Sequence, residues 1–176
     1  MSDTRAATTS DRDVTASGVA ALNDLAPEDA RQALLGCCAA ERWAENMECA
    51  RPYASPQAVH DQAEAAFATL LREDWLQAFA AHARIGAPRA GDERGAAEQA
   101  GASSASAEEL AALQADNDRY EAEFGHVFLI RAGGLDAGQM LAALRERLGN
   151  PPARELDIAA EQQREITRLR LQALLA

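Results

Sequence analysis

Three places in this sequence carry side chains able to move a proton or hold an anion. His82 ends the segment EDWLQAFAAH, on one helical stripe with Trp75 and Phe79 and just ahead of a Gly/Pro loop. An imidazole titrates near neutrality, which suits general acid or base chemistry. A histidine there equally suits a helix C-terminus, whose dipole stabilises its positive form. Glu98-Gln99 lies in GAAEQAG, where no bulky side chain occurs from Gly95 to Gly101. Small residues let a backbone approach a neighbouring helix or a ligand closely, although a glutamate among them is by itself an ordinary solvated helix position. Arg170 falls on a stripe with Ile166, Ala173 and Leu174, whereas Arg164 and Arg168 follow Glu161 and Glu165 by three residues, as on a solvated face. An arginine within an apolar stripe either snorkels outward or pairs, and a bound carboxylate fits its guanidinium fork.

The elements that must position these groups are helical. Pro27 with Glu28 and Asp29 marks a first turn, of a helix that carries Leu34 and Leu35 and breaks near Gly36. A short helix follows with Trp43 and Met47, ending before Pro52. Ser55-Pro56 opens the next helix, whose apolar face is Val59, Ala63, Ala66, Phe67 and Leu70. The helix ending at His82 precedes a loop from Ala83 to Gly95, with Gly86, Pro88 and Gly91. Ser106 and Glu109 form a capping box for a long helix with the stripe Leu110, Leu113, Asn117, Tyr120 and Phe124, stopped by Gly125. Phe128, Leu129 and Ile130 make an apolar connector into Gly133-Gly134. Asp136 caps a helix with Met140, Leu141, Leu144 and Leu148, and a last helix follows Pro151-Pro152. The expected fold is all-α, a single-domain irregular bundle of seven or eight helices over residues 18–176, with ordered structure from about Leu22. Residues 1–17 lack apolar periodicity and read as a disordered tail.

Composition agrees with packed helices and excludes several functions. Among 176 residues, 48% are apolar but only 5% aromatic, so alanine and leucine must fill the core. A formal charge of −11 repels phosphates and anionic headgroups, so neither nucleic acid nor membrane is an expected partner. No apolar run is long enough to span a bilayer and the N-terminus has no secretory apolar core. Cys37, Cys38 and Cys49 suit reduced thiols in a cytoplasm, the adjacent pair reading as small buried hydrophobes. His60, His82 and His126 lack metal-ligand spacing, and no phosphate-binding glycine loop or serine nucleophile elbow occurs. No metal site is expected.

Taken in order, LLGCCAAERWAENM (34–47), RPY (51–53), DWLQAFAAHARIG (74–86), EQAG (98–101), NDRYEAEFGHVFLIRAGG (117–134) and EQQREITRLRLQALL (161–175) resemble the 2-oxo-4-hydroxy-4-carboxy-5-ureidoimidazoline (OHCU) decarboxylases. The resemblance spans about Leu22 to Leu175. It implies an all-helical, usually dimeric enzyme without cofactor, removing CO2 from a ureidoimidazoline to give (S)-allantoin in urate degradation. The family's catalytic histidine block, His-Pro-x-[Leu/Ile]-[Gly/Ala], matches His82 in HARIG. Its catalytic glutamate, in Ser-x-x-Glu-Gln, matches Glu98. The substrate-binding positions that follow are Ala83, Gly95, Gln99, the connector residues Leu129, Ile130, Arg131, Ala132 and Gly133, and Arg170 of the terminal Leu-Arg-Leu. This chain departs from the family at Ala83, commonly proline, at Gly95, commonly serine, and at His126-Val127, commonly Phe-Pro.

The resemblance implies that Arg170 holds an anionic or carbonyl part of the substrate and that Glu98 and Gln99 grip its hydroxyl and ureido groups. His82 then moves the proton, and backbone donors near Ile130 stabilise developing charge. Ala83 and Gly95 keep a rival open, a non-catalytic helical binding module of the same fold. A second rival is a lyase or hydrolase acting on a related ureido compound.

Overall fold

A computed structural model describes residues 18–176, so the tail expected over residues 1–17 lies outside the described residues. Helix α1 occupies residues 18–24. It is followed by α2 (Pro27–Leu35), α3 (Glu41–Cys49), α4 (Pro56–Phe67), α5 (Arg72–Ala80) and α6 (Glu93–Glu98). After a 3-10 turn (Ala100–Ser104) come α7 (Ala107–Phe124), α8 (Ala137–Arg147) and α9 (Pro152–Leu174). The all-α class is observed, with no strand among the described residues.

Local signals determine most boundaries. Pro27 begins α2, and the Ser55 hydroxyl accepts from Ala58 N–H at the start of α4. Ser106 with Glu109 and Asp136 with Gln139 form reciprocal capping boxes on α7 and α8. Gly125 closes α7 in the left-handed conformation, at φ 76°. Three expectations need correction. Helical structure starts before Leu22, because Val19 and Leu22 are both buried and Gly18 lies so close to the Leu175 carbonyl that a side chain there would collide with it. The loop after His82 ends before Gly95, since the Asp92 carboxylate caps α6 by accepting from Gly95 N–H at 2.8 Å. On α9, Ala173 is exposed and Leu171 is buried instead.

The chain divides into two compact units, one running to Asp74 and including Thr167–Ala176, the other Trp75–Ile166. In the first, Trp43 stacks on Phe67 with centroids 5.5 Å apart and donates its indole N–H to the Ala63 carbonyl. Arg51 caps α1 there, donating to the carbonyls of Leu22 and Leu25 at 2.8 Å each. The second unit has a core of Ile85, Leu113, Tyr120, Phe124, Phe128, Met140 and Leu144. Each such buried side chain contributes about 1.5–3 kcal/mol. Leu110, expected on that face, remains 38% exposed. No helix among the described residues is long and apolar enough to cross a membrane.

Candidate active site

His82 lies just past the end of α5, in the second unit, and is half-buried. Its backbone N–H donates to the Phe79 carbonyl at 3.0 Å, a last turn that brings the imidazole out of the helix. The Arg89 guanidinium caps this end, donating to the carbonyls of Ala80 and Ala81 at 3.0 Å and of His82 at 3.3 Å. A cation there also complements the helix dipole. Nε2 of His82 lies 2.8 Å from Oε1 of Gln163, a wholly buried residue of α9.

The next four residues are held from two sides. Gln99 Nε2 donates to the Ala83 carbonyl at 3.5 Å, and Gln99 Oε1 accepts from Gly86 N–H at 3.0 Å. Asn117 Nδ2, on α7, donates to the Ile85 carbonyl at 3.1 Å. Gly86 has φ 81° and lies against Leu113, where a Cβ would approach within 3.3 Å. Arg84 pairs with Asp118 and Glu121 of α7. The Gln99 side chain, assigned to substrate by the family resemblance, thus holds the His82 loop with both its amide ends.

Glu98 is the last residue of α6 and half-buried. Gly95 lies in the same helix, buried under the Asp92 carboxylate, with which a Cβ at Gly95 would collide. The space a serine would use at that position is therefore filled by the cap.

The connector from Phe128 to Gly134 follows α7. Phe128 and Leu129 are buried, and the Leu129 carbonyl accepts from Arg147 of α8. Arg147 is itself buried against Glu155 of α9, its Nε donating to the carboxylate at 2.7 Å. Tyr120 donates its hydroxyl to the same carboxylate, and Asn150 donates to its other oxygen at 2.8 Å. Burial, with the adjacent carboxylate, pushes the Tyr120 hydroxyl well above the ordinary phenol range. Arg131 N–H donates to Oε1 of Gln162 at 2.8 Å, and the Arg131 side chain pairs with Glu165 at 3.3 Å. Ile130 makes no backbone hydrogen bond to another described residue. Gly133 has open space around its Cα, and Ala132 is buried.

The second unit therefore holds His82, Ala83, Gly95, Glu98, Gln99 and the connector from Leu129 to Gly133, and its consecutive glutamines Gln162 and Gln163 tie the connector and the imidazole to one helix. Arg170 belongs to the first unit, where it is half-buried and its charge acts on the Cys38 thiol. Sequence reasoning missed Arg89, Asn117, Arg147, Glu155, Gln162 and Gln163. Gln163 had a readable signal, a polar residue in register with Ala159 and Ile166 on the buried stripe of α9. His126 is packed with Phe79 at 5.1 Å and Tyr120 at 5.5 Å, an aromatic filler beside the connector. Among the described residues no three His, Cys, Asp or Glu side chains gather as a metal site requires.

The family model for OHCU decarboxylase matches residues 23–172, a stretch that runs through both units. The chain is 36% identical over 147 residues to the uric acid degradation bifunctional protein TTL of Arabidopsis thaliana, covering 80% of this chain and 45% of that protein. It is 37% identical over 84 residues to a 2-oxo-4-hydroxy-4-carboxy-5-ureidoimidazoline decarboxylase of Amia calva, covering 48% of each. The chain thus spans about half the length of these two relatives. A crystal structure of OHCU decarboxylase in the presence of (S)-allantoin superposes with TM-score 0.71 at 34% identity, covering 80% of this chain and 95% of that one. A structure of (S)-allantoin synthase superposes with TM-score 0.67 at 18% identity, over 89% of this chain and 53% of that one, a likeness of fold.

Proposed function

This chain belongs to the OHCU decarboxylase family, and we propose that it removes CO2 from 2-oxo-4-hydroxy-4-carboxy-5-ureidoimidazoline to give (S)-allantoin, without a cofactor. The C4–carboxylate bond breaks, and its electron pair moves into the neighbouring ring imine, whose nitrogen takes up a proton as CO2 leaves. The C4 hydroxyl then becomes a carbonyl by losing its proton. A proton delivered to one face of the carbon bearing the ureido group makes the product a single enantiomer. The ring supplies its own electron sink, so the protein has to orient the substrate and move protons.

The observation that carries this reading is the joining of His82 and the connector backbone to adjacent residues of α9. His82 is the proton carrier in this proposal, and Glu98 accepts the hydrogen bond of the C4 hydroxyl. The Ile130 N–H stabilises developing negative charge, with Leu129, Arg131, Ala132 and Gly133 shaping the backbone around it. Gln99 keeps one N–H and one lone pair beyond those holding the loop, enough to reach the ureido group without releasing Ala83 and Gly86. Ala83 and Gly95 contribute backbone at the substrate's edge, and Arg170 holds an anionic or carbonyl group of the substrate.

We further infer a homodimer working in the cytoplasm. The thiols of Cys37, Cys38 and Cys49 suit a reducing compartment, and light scattering on the purified protein tests the dimer.

Substrate generated in place from urate tests the activity, with (S)-allantoin followed by circular dichroism. His82→Ala and Glu98→Ala should each lower the catalysed rate by roughly 10²–10⁴-fold. Full acceleration in either variant overturns its assigned role. Racemic allantoin at the spontaneous rate with the unaltered protein would make the chain a helical binding module instead.

A further inference from the structure

We propose that Gln163 is a positioning residue for His82, holding the imidazole with its proton on Nε2 so that proton exchange runs through Nδ1. The catalytic part of this inference rests on the decarboxylase reading above; the tautomer does not.

Gln163 is fully buried, on the stripe of α9 that also carries Ala159 and Ile166. A buried amide is costly unless its polar ends are bonded. Its oxygen lies 2.8 Å from Nε2 of His82, across 81 residues of sequence. A carboxamide oxygen has no hydrogen and can only accept, so the ring nitrogen facing it must carry the proton. In the neutral imidazole the lone pair then sits on Nδ1.

Gln163 bonds the ring itself, whereas other groups hold the main chain around it. Arg89 holds the His82 carbonyl, and Gln99 holds the Ala83 carbonyl and Gly86 N–H, so the main chain on both sides of the histidine is already restrained. Ring rotation is what those bonds do not restrain. Gln162, the preceding residue, accepts from Arg131 N–H at 2.8 Å. Successive residues of a helix point about 100° apart. One turn of α9 therefore sets the connector with one glutamine and the imidazole with the next.

The test uses the full chain labelled with ¹⁵N-histidine, above the titration of His82, with His82→Gln identifying its signals among those of His60 and His126. The unaltered protein should show a protonated Nε2 and a lone-pair-bearing Nδ1. Gln163→Met keeps the length but removes the acceptor. It should mix the tautomers and lower kcat by roughly tenfold to a hundredfold, with KM changed little. Gln163→Glu keeps an acceptor oxygen, and should retain the Nε2–H signal and recover most of the lost kcat. A proton on Nδ1 in the unaltered protein overturns the proposal, even if the Met variant does not fold. So does a folded Gln163→Met protein with unchanged tautomer and kcat. An unaltered protein that shows the Nε2–H signal but no decarboxylation would sink the decarboxylase reading and leave the tautomer assignment standing.

Discussion

Around His82, side chains engage the main chain more than they engage one another. Arg89 takes up carbonyls at the end of α5, Asn117 holds Ile85, and Gln99 holds Ala83 and Gly86. Replacing Gln99 by leucine would keep the bulk but leave a carbonyl and an amide without partners. That costs about 1–3 kcal/mol, so chemical denaturation should show Gln99→Leu less stable by this amount, with faster hydrogen exchange at Gly86. An unchanged midpoint and unchanged exchange would mean that the loop does not depend on Gln99. The serine common at position 95 in relatives, as the resemblance implies, has no room here unless Asp92 moves. Gly95→Ser should therefore lose most of the Asp92 cap, about 0.5–2 kcal/mol, partly offset by removing a helix-interior glycine. A net stability change below about 1.5 kcal/mol, from the same denaturation curves, is the expected outcome. Both effects were invisible in the sequence, where Gln99 reads as a substrate residue and Asp92 as one more polar loop residue near glycines.

At the level of elements, α7, α8 and α9 meet at one buried polar cluster. Tyr120, Arg147 and Glu155 contribute one side chain from each, and the Leu129 carbonyl joins them through Arg147. The Arg147 guanidinium also lies 4.7 Å from the Phe128 ring centroid. Removing one charge from a buried pair leaves the other uncompensated and costs about 3–5 kcal/mol. Glu155→Leu should accordingly lower the thermal midpoint by roughly 10 °C or more, and should speed amide exchange in the connector through loss of Arg147's hold on Leu129. A melt within a degree or two of the unaltered protein would show the cluster to be dispensable. Helix starts were legible because Pro27, Ser55-Pro56, Ser106 with Glu109 and Asp136 with Gln139 act within one turn. Helix α6 and the 3-10 turn were not, because neither is long enough to repeat an apolar period.

Over the whole molecule, buried groups kept neutral give stability an alkaline limit. Burial pushes the Cys38 thiol from 9.0 up to about 11 and the Tyr53 hydroxyl from 10.0 up to about 12. Both hold their protons more tightly folded than unfolded. Their contribution is complete below pH 9 and is lost progressively as pH rises towards the folded values. The thermal midpoint should fall by roughly 2–8 °C between pH 8 and 10.5. Cys38→Ala should flatten that slope, whatever it does to the midpoint at pH 8. An equal slope in the variant would assign the alkaline loss elsewhere. Asp116 sets the opposite limit. Hydrogen bonds from Arg145 and Arg119 hold its carboxyl below the usual carboxylate range, so its contribution persists above that range and is lost as pH falls through the depressed value.

By itself the sequence determined the all-α class, most helix boundaries and the family resemblance, with His82, Glu98 and Arg170 singled out as the groups to watch. Those features are local: apolar period, capping residues and turn residues act within a few positions and can be read along the chain. Only the tertiary structure decided what the polar side chains bond to. Gln163 meets His82 across 81 residues, and Arg147 reaches the Leu129 carbonyl across 18. No periodicity encodes such pairings. They arise when packing buries a donor and an acceptor together and the loss of water obliges them to bond.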